Sequence, residues 1–392
     1  MSHIEDRARR LLHAQRADVA PFLAMDVASA AQRLEASGRS VIHMEIGEPG
    51  FAAPRAAREA AIGALQGTPI GYTHALGMPA LRARISKHYT DAYGLSVPAE
   101  RIAVTTGSSS GFVLAFLALF DVGDRVAISS PGYPPYKTIL GALGLIPVEI
   151  ETGPDSRWAL DGEAIEKAHR EAPLSGVLLM SPANPSGTIV GREALEDIVA
   201  TCRRLGIRLI SDEIYHGLSY GEPAETALRF GDDVVVVNSF SKYWCMTGWR
   251  IGWLVVPEAL ERPIERLGQN LFISAPTLSQ IAATAALDAT EELEAIKAIY
   301  ARNRSFLLTE LPKIGFDKFL PADGAFYIYA DVTRQTNDSP AFARAMLEEA
   351  GVAATPGNDF DRARGHRFLR FSFAGAEADI GEAIGRLRDW MK

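Results

Sequence analysis

Lysine is scarce in this chain of 392 residues: it supplies eight of the 40 basic side chains. Lys242 has the most unusual context of the eight. It follows Val234-Val235-Val236-Val237-Asn238-Ser239-Phe240-Ser241, a run that reads as a buried strand. Lysine in such a place needs a partner or a reaction. Once desolvated, it has a lowered pKa and can form a Schiff base with a carbonyl. Arg250 lies eight residues on, and its fork could take a phosphate in bidentate fashion. Each residue alone has an ordinary reading, as a loop lysine or a salt-bridged arginine.

Other residues with useful chemistry also stand just after short apolar runs. Thr106-Gly107-Ser108-Ser109-Ser110-Gly111 precedes an apolar helical stretch, Phe112–Phe120. Backbone N–H groups are unpaired at a helix start, and small residues with hydroxyls let an anion approach there. The spacing is neither Gly-x-Gly-x-x-Gly nor a P-loop, so the cradle is not a nucleotide one. Pro131-Gly132-Tyr133 offers a flat ring for stacking. Asn184 sits in Pro182-Ala183-Asn184-Pro185-Ser186-Gly187. Asp212, in Asp212-Glu213-Ile214-Tyr215, could hold a cation or a protonated ring nitrogen, and Tyr215 offers a phenol. Each has a plain alternative as a helix cap, core residue or turn residue. The ordered set is what carries the chemistry.

The runs that position them are Arg101–Thr106, Arg125–Ser130, Leu145–Ile150, Gly176–Ser181, Ile207–Ser211, Val234–Ser239 and Ile251–Val256. They are rich in Val and Ile and bounded by turn residues, as buried strands are. Helical patterns such as Arg192–Leu205 separate several of them. This alternation predicts an α/β fold, a mainly parallel seven-stranded sheet covered by helices. The last run follows its predecessor too closely for a crossover helix, which allows an antiparallel strand. A long helix, Ile281–Leu311, whole or broken, leads into a strand (Gly324–Asp331), a helix (Pro340–Ala350), a strand (Phe368–Ala374) and a terminal helix. These form a smaller α+β domain built from both chain ends. The expected division is 1–52 for an arm and part of the small domain, 53–288 for the large domain, and 289–392 for the rest. In open parallel sheets, ligands bind beyond the carboxyl ends of the strands, where the residues above would converge.

Composition narrows the function classes. With 48 acidic residues the net charge is -8, which argues against a general nucleic-acid binder. Two cysteines, Cys202 and Cys245, give no disulfide framework and no metal-type cluster, and they fit a reduced, cytoplasmic chain. Gly111–Phe120, the longest apolar run, is shorter than the ~20 residues a bilayer needs. Met1–Ala20 carries Glu5, Asp6 and Asp18 and has no continuous apolar core, so it reads as an amphipathic arm.

At this point the sequence resembles the fold-type I pyridoxal-phosphate enzymes, specifically the class I/II aminotransferases of the aspartate aminotransferase superfamily. The resemblance runs from Glu45-Ile46-Gly47-Glu48-Pro49 to Arg370-Phe371-Ser372. Its most specific segment is Ser239-Phe240-Ser241-Lys242-Tyr243-Trp244-Cys245-Met246-Thr247-Gly248-Trp249-Arg250. Tyr72-Thr73-His74-Ala75-Leu76-Gly77, Leu81-Arg82 and Asn184-Pro185-Ser186-Gly187 match in order. Cys245 and Gly50 depart from the family pattern, which usually has another small residue and an Asp there.

The resemblance implies roles by position. Lys242 would bind pyridoxal 5'-phosphate as a Schiff base and then shuttle a proton. Asp212 would pair with the pyridinium nitrogen. Tyr215 and Asn184 would hydrogen-bond the ring oxygen, and Tyr133 would stack on the ring. Ser108, Ser109, Ser110, Ser239 and Arg250 would hold the phosphate. Arg370 would clamp the substrate α-carboxylate, helped by the backbone at Gly47 and by Asn184. Tyr72 would reach the phosphate in the neighbouring subunit of a homodimer. The implied activity is ping-pong transfer of an amino group from an L-amino acid to a 2-oxo acid. A carbon–sulfur β-lyase shares the fold and motifs. A non-catalytic effector domain would need a DNA-binding segment, whereas fewer than 50 residues precede the Gly47 motif. His216 and Phe326 are placed near the pocket or simply in the core, and Cys245 as a packing residue.

Overall fold

The structure, a computed structural model, describes residues 13–67 and 69–392. Residues 1–12 of the expected N-terminal arm lie outside the described residues. After a short strand, Ile42–His43 (β1), the main sheet strands follow in chain order. They are Ile102–Thr105 (β2), Arg125–Ser130 (β3), Ile146–Glu151 (β4), Gly176–Met180 (β5), Arg208–Asp212 (β6), Val235–Ser239 (β7) and Gly252–Val255 (β8). Their spatial order is β2-β8-β7-β6-β5-β3-β4. Neighbours pair in parallel, except that β8 runs antiparallel to both β7 and β2. Between β7 and β8 lies only a loop with one short helical turn, Thr247–Trp249, too little for a parallel crossover.

The valine run shows why the sheet is buried on both faces. Val235 and Val237 point into a core with Phe112, Ile128 and Ile210, while Val236 points into the opposite one with Leu209, Phe240 and Trp253. Side chains alternate across a strand, so an unbroken apolar run needs cover on both sides. The helix Gly107–Leu119 supplies part of that cover, burying Phe112, Leu114, Ala115 and Phe116.

The smaller unit has its own core around Phe326, Ile328, Phe371 and Phe373. Its strands are Tyr327–Asp331 (β9), Val352–Ala353 (β10), Thr355–Pro356 (β11) and Phe368–Ser372 (β12). The sheet order is β11-β12-β9, antiparallel, while β1 pairs in parallel with β10. The two ends of the chain therefore meet in one unit. The expected long helix is two helices, Thr277–Ala286 and Thr290–Glu310. Arg84 marks the break: its guanidinium donates to Leu287 O (2.7 Å) and to Asp288 Oδ1 (2.9 Å). The strand expected from Gly324 starts only at Tyr327. Asp323 N and Gly324 N instead donate to Gly187 O, at 2.9 and 2.8 Å, which bends the segment towards the Asn184 turn.

Candidate active site

An open cleft of about 750 Å³ lies at the carboxyl ends of β5, β6 and β7, between the two units. Lys242, Asp212, Tyr215, Tyr133, Asn184, Arg250, Arg370, Gly47, Ser108 and Ser109 all line it. Residues up to 323 positions apart in the chain thus share one wall.

Lys242 reaches the cleft from the turn after β7, and its Nζ donates to Gly47 O at 2.6 Å. Burial pulls its pKa down to about 8; Glu48 and Asp212 oppose the fall, and Arg370 and Arg250 add to it. Asp212 ends β6 and is 1% exposed. One carboxylate oxygen accepts from Ile214 N (3.1 Å), and the other accepts from the Tyr136 hydroxyl. Burial pushes this carboxyl up to about 6, against the pull of Tyr136, Ile214 N and Lys242. It is therefore mostly ionised at neutral pH.

The anion cradle forms where two loops touch. Gly107 starts its helix at φ +73, and an added Cβ there would meet Arg250 Nη2 at 2.5 Å. Only glycine suits both the backbone angle and the space. Arg250 is itself left-handed (φ 49), with Nη1 donating to Thr247 O at 3.0 Å. Ser108 and Ser109 line the cleft beside it, and so does Ser241. Ser110 and Ser239 do not. Ser110 Oγ turns to Gly107 O (3.1 Å), and Ser239 Oγ, fully buried, donates to Ile251 O (3.1 Å).

Arg370 projects from β12 and is 2% exposed. Its guanidinium is held between the rings of Tyr327 (4.3 Å) and Phe360 (4.8 Å). Nη1 donates to Asn184 Oδ1 (2.9 Å), and Nη2 to Glu45 O and to Thr355 Oγ1 (3.2 Å). Tyr215 Oη lies 2.7 Å from Tyr327 Oη. Gly47 packs so closely here that a Cβ would fall 1.7 Å from the Tyr327 hydroxyl.

The remaining expectations sort plainly. Tyr72 is 83% exposed and lies apart from the cleft of its own chain. Phe326 is wholly buried, edge-on to Tyr215 at 5.5 Å, so it backs the wall. His216 is also buried: its Nε2 donates to Ser181 O (3.1 Å) and its Nδ1 accepts from Tyr93 Oη (2.7 Å). Cys245 is buried, and burial pushes its thiol up to about 11, as suits a packing residue. Gly50 N donates to Ala374 O (2.9 Å), and a Cβ there would approach that oxygen to 3.0 Å. Among the described residues no group of His, Cys, Asp and Glu could hold a metal, and no helix is long and apolar enough to cross a membrane.

Sequence reasoning missed Tyr136, Ser241, Tyr327 and Thr355, together with Phe22, Ala24 and Met25 at the cleft mouth. Tyr133-Pro134-Pro135-Tyr136 was the one available signal, a turn entering a helix that sets the two rings edge-on at 5.2 Å.

The residues present suit a phosphorylated pyridine aldehyde. A half-buried amine of lowered pKa, a buried carboxylate, an aromatic face and a cationic cradle at a helix start stand around one cleft. Comparison with known proteins agrees. The family model described as aminotransferase class I and II matches residues 39–387. The valine–pyruvate aminotransferase of Mycobacterium tuberculosis is 48% identical over 382 residues, covering 96% of this chain and 98% of the relative. A crystal structure of an aminotransferase from that organism superposes with TM-score 0.94 at 48% identity, covering 97% of this chain and 98% of the other. The Thermus thermophilus aspartate aminotransferase with maleate gives TM-score 0.91 at 30% identity, covering 96% and 99%.

Proposed function

The chain belongs to the class I and II aminotransferases, and from that premise we propose that its donors are L-amino acids with neutral, aliphatic side chains. The activity itself is pyridoxal-phosphate-dependent transfer of an amino group from an L-amino acid to a 2-oxo acid. One observation carries the donor reading. The described cleft wall holds three cations, Lys242, Arg250 and Arg370, and each has a role. The rest of the mouth is Phe22, Ala24, Met25, Ile46, Tyr133 and Tyr327, an apolar surface with no described cation for a second carboxylate. The name of the M. tuberculosis relative, valine–pyruvate aminotransferase, points the same way.

When bound, pyridoxal phosphate supplies the electron sink that makes the donor Cα–H acidic. The chain's own residues do the rest. Arg370, pre-oriented between two rings, binds the donor α-carboxylate in bidentate fashion, with Asn184 beside it. Lys242 Nζ takes the proton from the donor Cα, and its lowered pKa suits a base working near neutral pH. Asp212 would pair with the ring nitrogen through its negative charge, Tyr215 and Asn184 would hydrogen-bond the ring oxygen, and Tyr133 would cover one ring face. Ser108, Ser109, Ser241 and Arg250, which line the cleft together, would hold the phosphate.

The division into 1–52, 53–288 and 289–392 belongs to this reading, as does a homodimer in the cytoplasm. Two free cysteines suit that compartment. Exposed Leu271, Phe272, Ile273 and Tyr72 support the dimer. They flank one junction, where Thr73 N donates to Ser274 Oγ (3.4 Å) and Thr277 Oγ1 to Gly71 O. Ile273 holds φ 66 although β-branched, a strain that a partner surface would stabilise.

A donor panel against pyruvate and 2-oxoglutarate tests the function. Aliphatic donors are expected to exceed aspartate at least ~10-fold in kcat/KM, the discrimination expected of an unpaired second carboxylate. Lys242→Ala should lose ~1000-fold or more in turnover. A preference for dicarboxylate donors, or normal transamination by Lys242→Ala, would refute the respective assignment.

A further inference from the structure

We propose that Asp359 is a positioning residue that holds the N-terminal helix across the cleft mouth, and that Phe22, so placed, selects the donor side chain. The inference rests on the aliphatic-donor reading above. The helix Leu23–Ala36 has Phe22 at its N-cap, and no side chain of its own segment caps it. The four N–H groups of a first turn need partners, and an exposed start can take them from water. Here two of them go to one carboxylate from the far end of the chain. Leu23 N donates to Asp359 Oδ1 and Ala24 N to Asp359 Oδ2, both at 3.0 Å.

The clip fixes the direction in which Phe22 leaves the helix. Its ring meets Tyr133 edge-on at 6.0 Å and lines the cleft, with Met25 one turn further along the same wall. Tyr133 is the ring expected to cover the cofactor, so Phe22 faces the space that a donor side chain must enter.

The turn bearing Asp359 also touches the carboxylate site. Phe360, the next residue, stacks under the Arg370 guanidinium at 4.8 Å, and its carbonyl accepts from Gly132 N at 3.1 Å. One short turn therefore registers the helix start, the carboxylate-binding arginine and the Tyr133 loop against each other. The carboxylate gives each amide its own charged oxygen; asparagine would have to serve both from one neutral oxygen, and alanine offers none.

The experiment uses the holoenzyme and its Asp359→Ala, Asp359→Asn, Phe22→Ala and Phe22→Leu variants. Steady-state kinetics are measured with L-alanine, L-valine, L-norleucine and L-phenylalanine. Calorimetry gives the Kd of 4-methylvalerate, a carboxylate with an aliphatic tail and no amino group. Asp359→Ala should raise KM for the larger aliphatic donors about tenfold, more than it lowers kcat, and weaken 4-methylvalerate about tenfold, equivalent to about 1.4 kcal/mol. Asp359→Asn should fall between it and the parent. Phe22→Ala should shift the kcat/KM ratio of phenylalanine to alanine about tenfold towards phenylalanine, with Phe22→Leu intermediate. Unchanged selectivity in both Phe22 variants, or an Asp359→Asn protein with parental KM and Kd, overturns the proposal. So does a uniform loss across all donors, which a merely structural clip would produce. A parent enzyme that prefers aspartate or glutamate defeats the aliphatic-donor reading instead, and the 4-methylvalerate comparison still decides the clip.

Discussion

Asp212 shows how one residue is tuned by partners the sequence does not advertise. Burial pushes its carboxyl above the usual carboxylate range. The Tyr136 hydroxyl and Ile214 N hold it at about 6, still ionised at pH 7. Tyr136→Phe removes a hydrogen bond to a charged acceptor, worth about 1.5–3 kcal/mol. The folded-state pKa of Asp212 then rises further, so less of the carboxylate is ionised at pH 7. Cofactor affinity should fall ~10-fold or more, read by titrating apoenzyme with pyridoxal phosphate and following fluorescence. An unchanged Kd would remove Tyr136 from the account. Nearby, His216 illustrates the opposite tuning. Burial pulls it down to about 3 from 6.5, so the folded chain keeps it neutral where the unfolded chain binds a proton. Stability should therefore drop as pH falls below 6.5 and go on dropping towards 3. His216→Gln should flatten that decline in a series of melting temperatures against pH, and a parallel decline in both proteins would count against it.

At the scale of elements, the decisive contact joins the start of the helix Gly107–Leu119 to the loop before β8. Gly107 and Arg250 both adopt positive φ, and the guanidinium occupies the space where a side chain would grow. The helix start supplies N–H groups and the loop supplies a cation, so the two together make the anion cradle. Gly107→Ala should displace Arg250 and lower cofactor affinity ~10–100-fold, partly through strain of about 1 kcal/mol at a left-handed alanine. Orthophosphate protection of the apoenzyme against heat should weaken in parallel. If affinity holds and only the melting temperature moves, the contact is structural. The broken helix follows a similar logic: Arg84, from another helix, takes Leu287 O and Asp288, and the chain turns there. A period of 3.6 in the sequence cannot show a break made by a residue two hundred positions away.

For the molecule as a whole, the exposed face carrying Ile273 and Tyr72 is the feature one chain leaves unexplained. Large apolar side chains at 51% and 83% exposure suit a surface that another copy covers. For the proposed homodimer, Ile273→Asp should shift sedimentation towards monomer and reduce activity, whereas Tyr72→Phe should leave the assembly intact while weakening the cofactor several-fold. A Tyr72→Phe enzyme with parental cofactor affinity would argue that the neighbouring chain does not share the site through this hydroxyl.

The strand runs, their alternation with helices and the residues at their carboxyl ends were legible in the sequence. These depend on local rules: apolar runs bury, turn residues end them, and ligands gather at strand ends. Lys242, Asp212, Asn184, Tyr215 and Arg250 fell out of that grammar, and even the antiparallel β8 followed from a loop too short to cross over. What depended on distant segments was not legible. Tyr136 matters because it lies across from Asp212, Ser241 because Ser239 turns inward, and Asp359 because it meets amides 335 and 336 positions away. No periodicity encodes such meetings, since they are fixed by how the sheets and their covering helices pack. The sequence determined which side chains could do the chemistry, and the tertiary structure decided which of them face one another and what shape of donor their cleft admits.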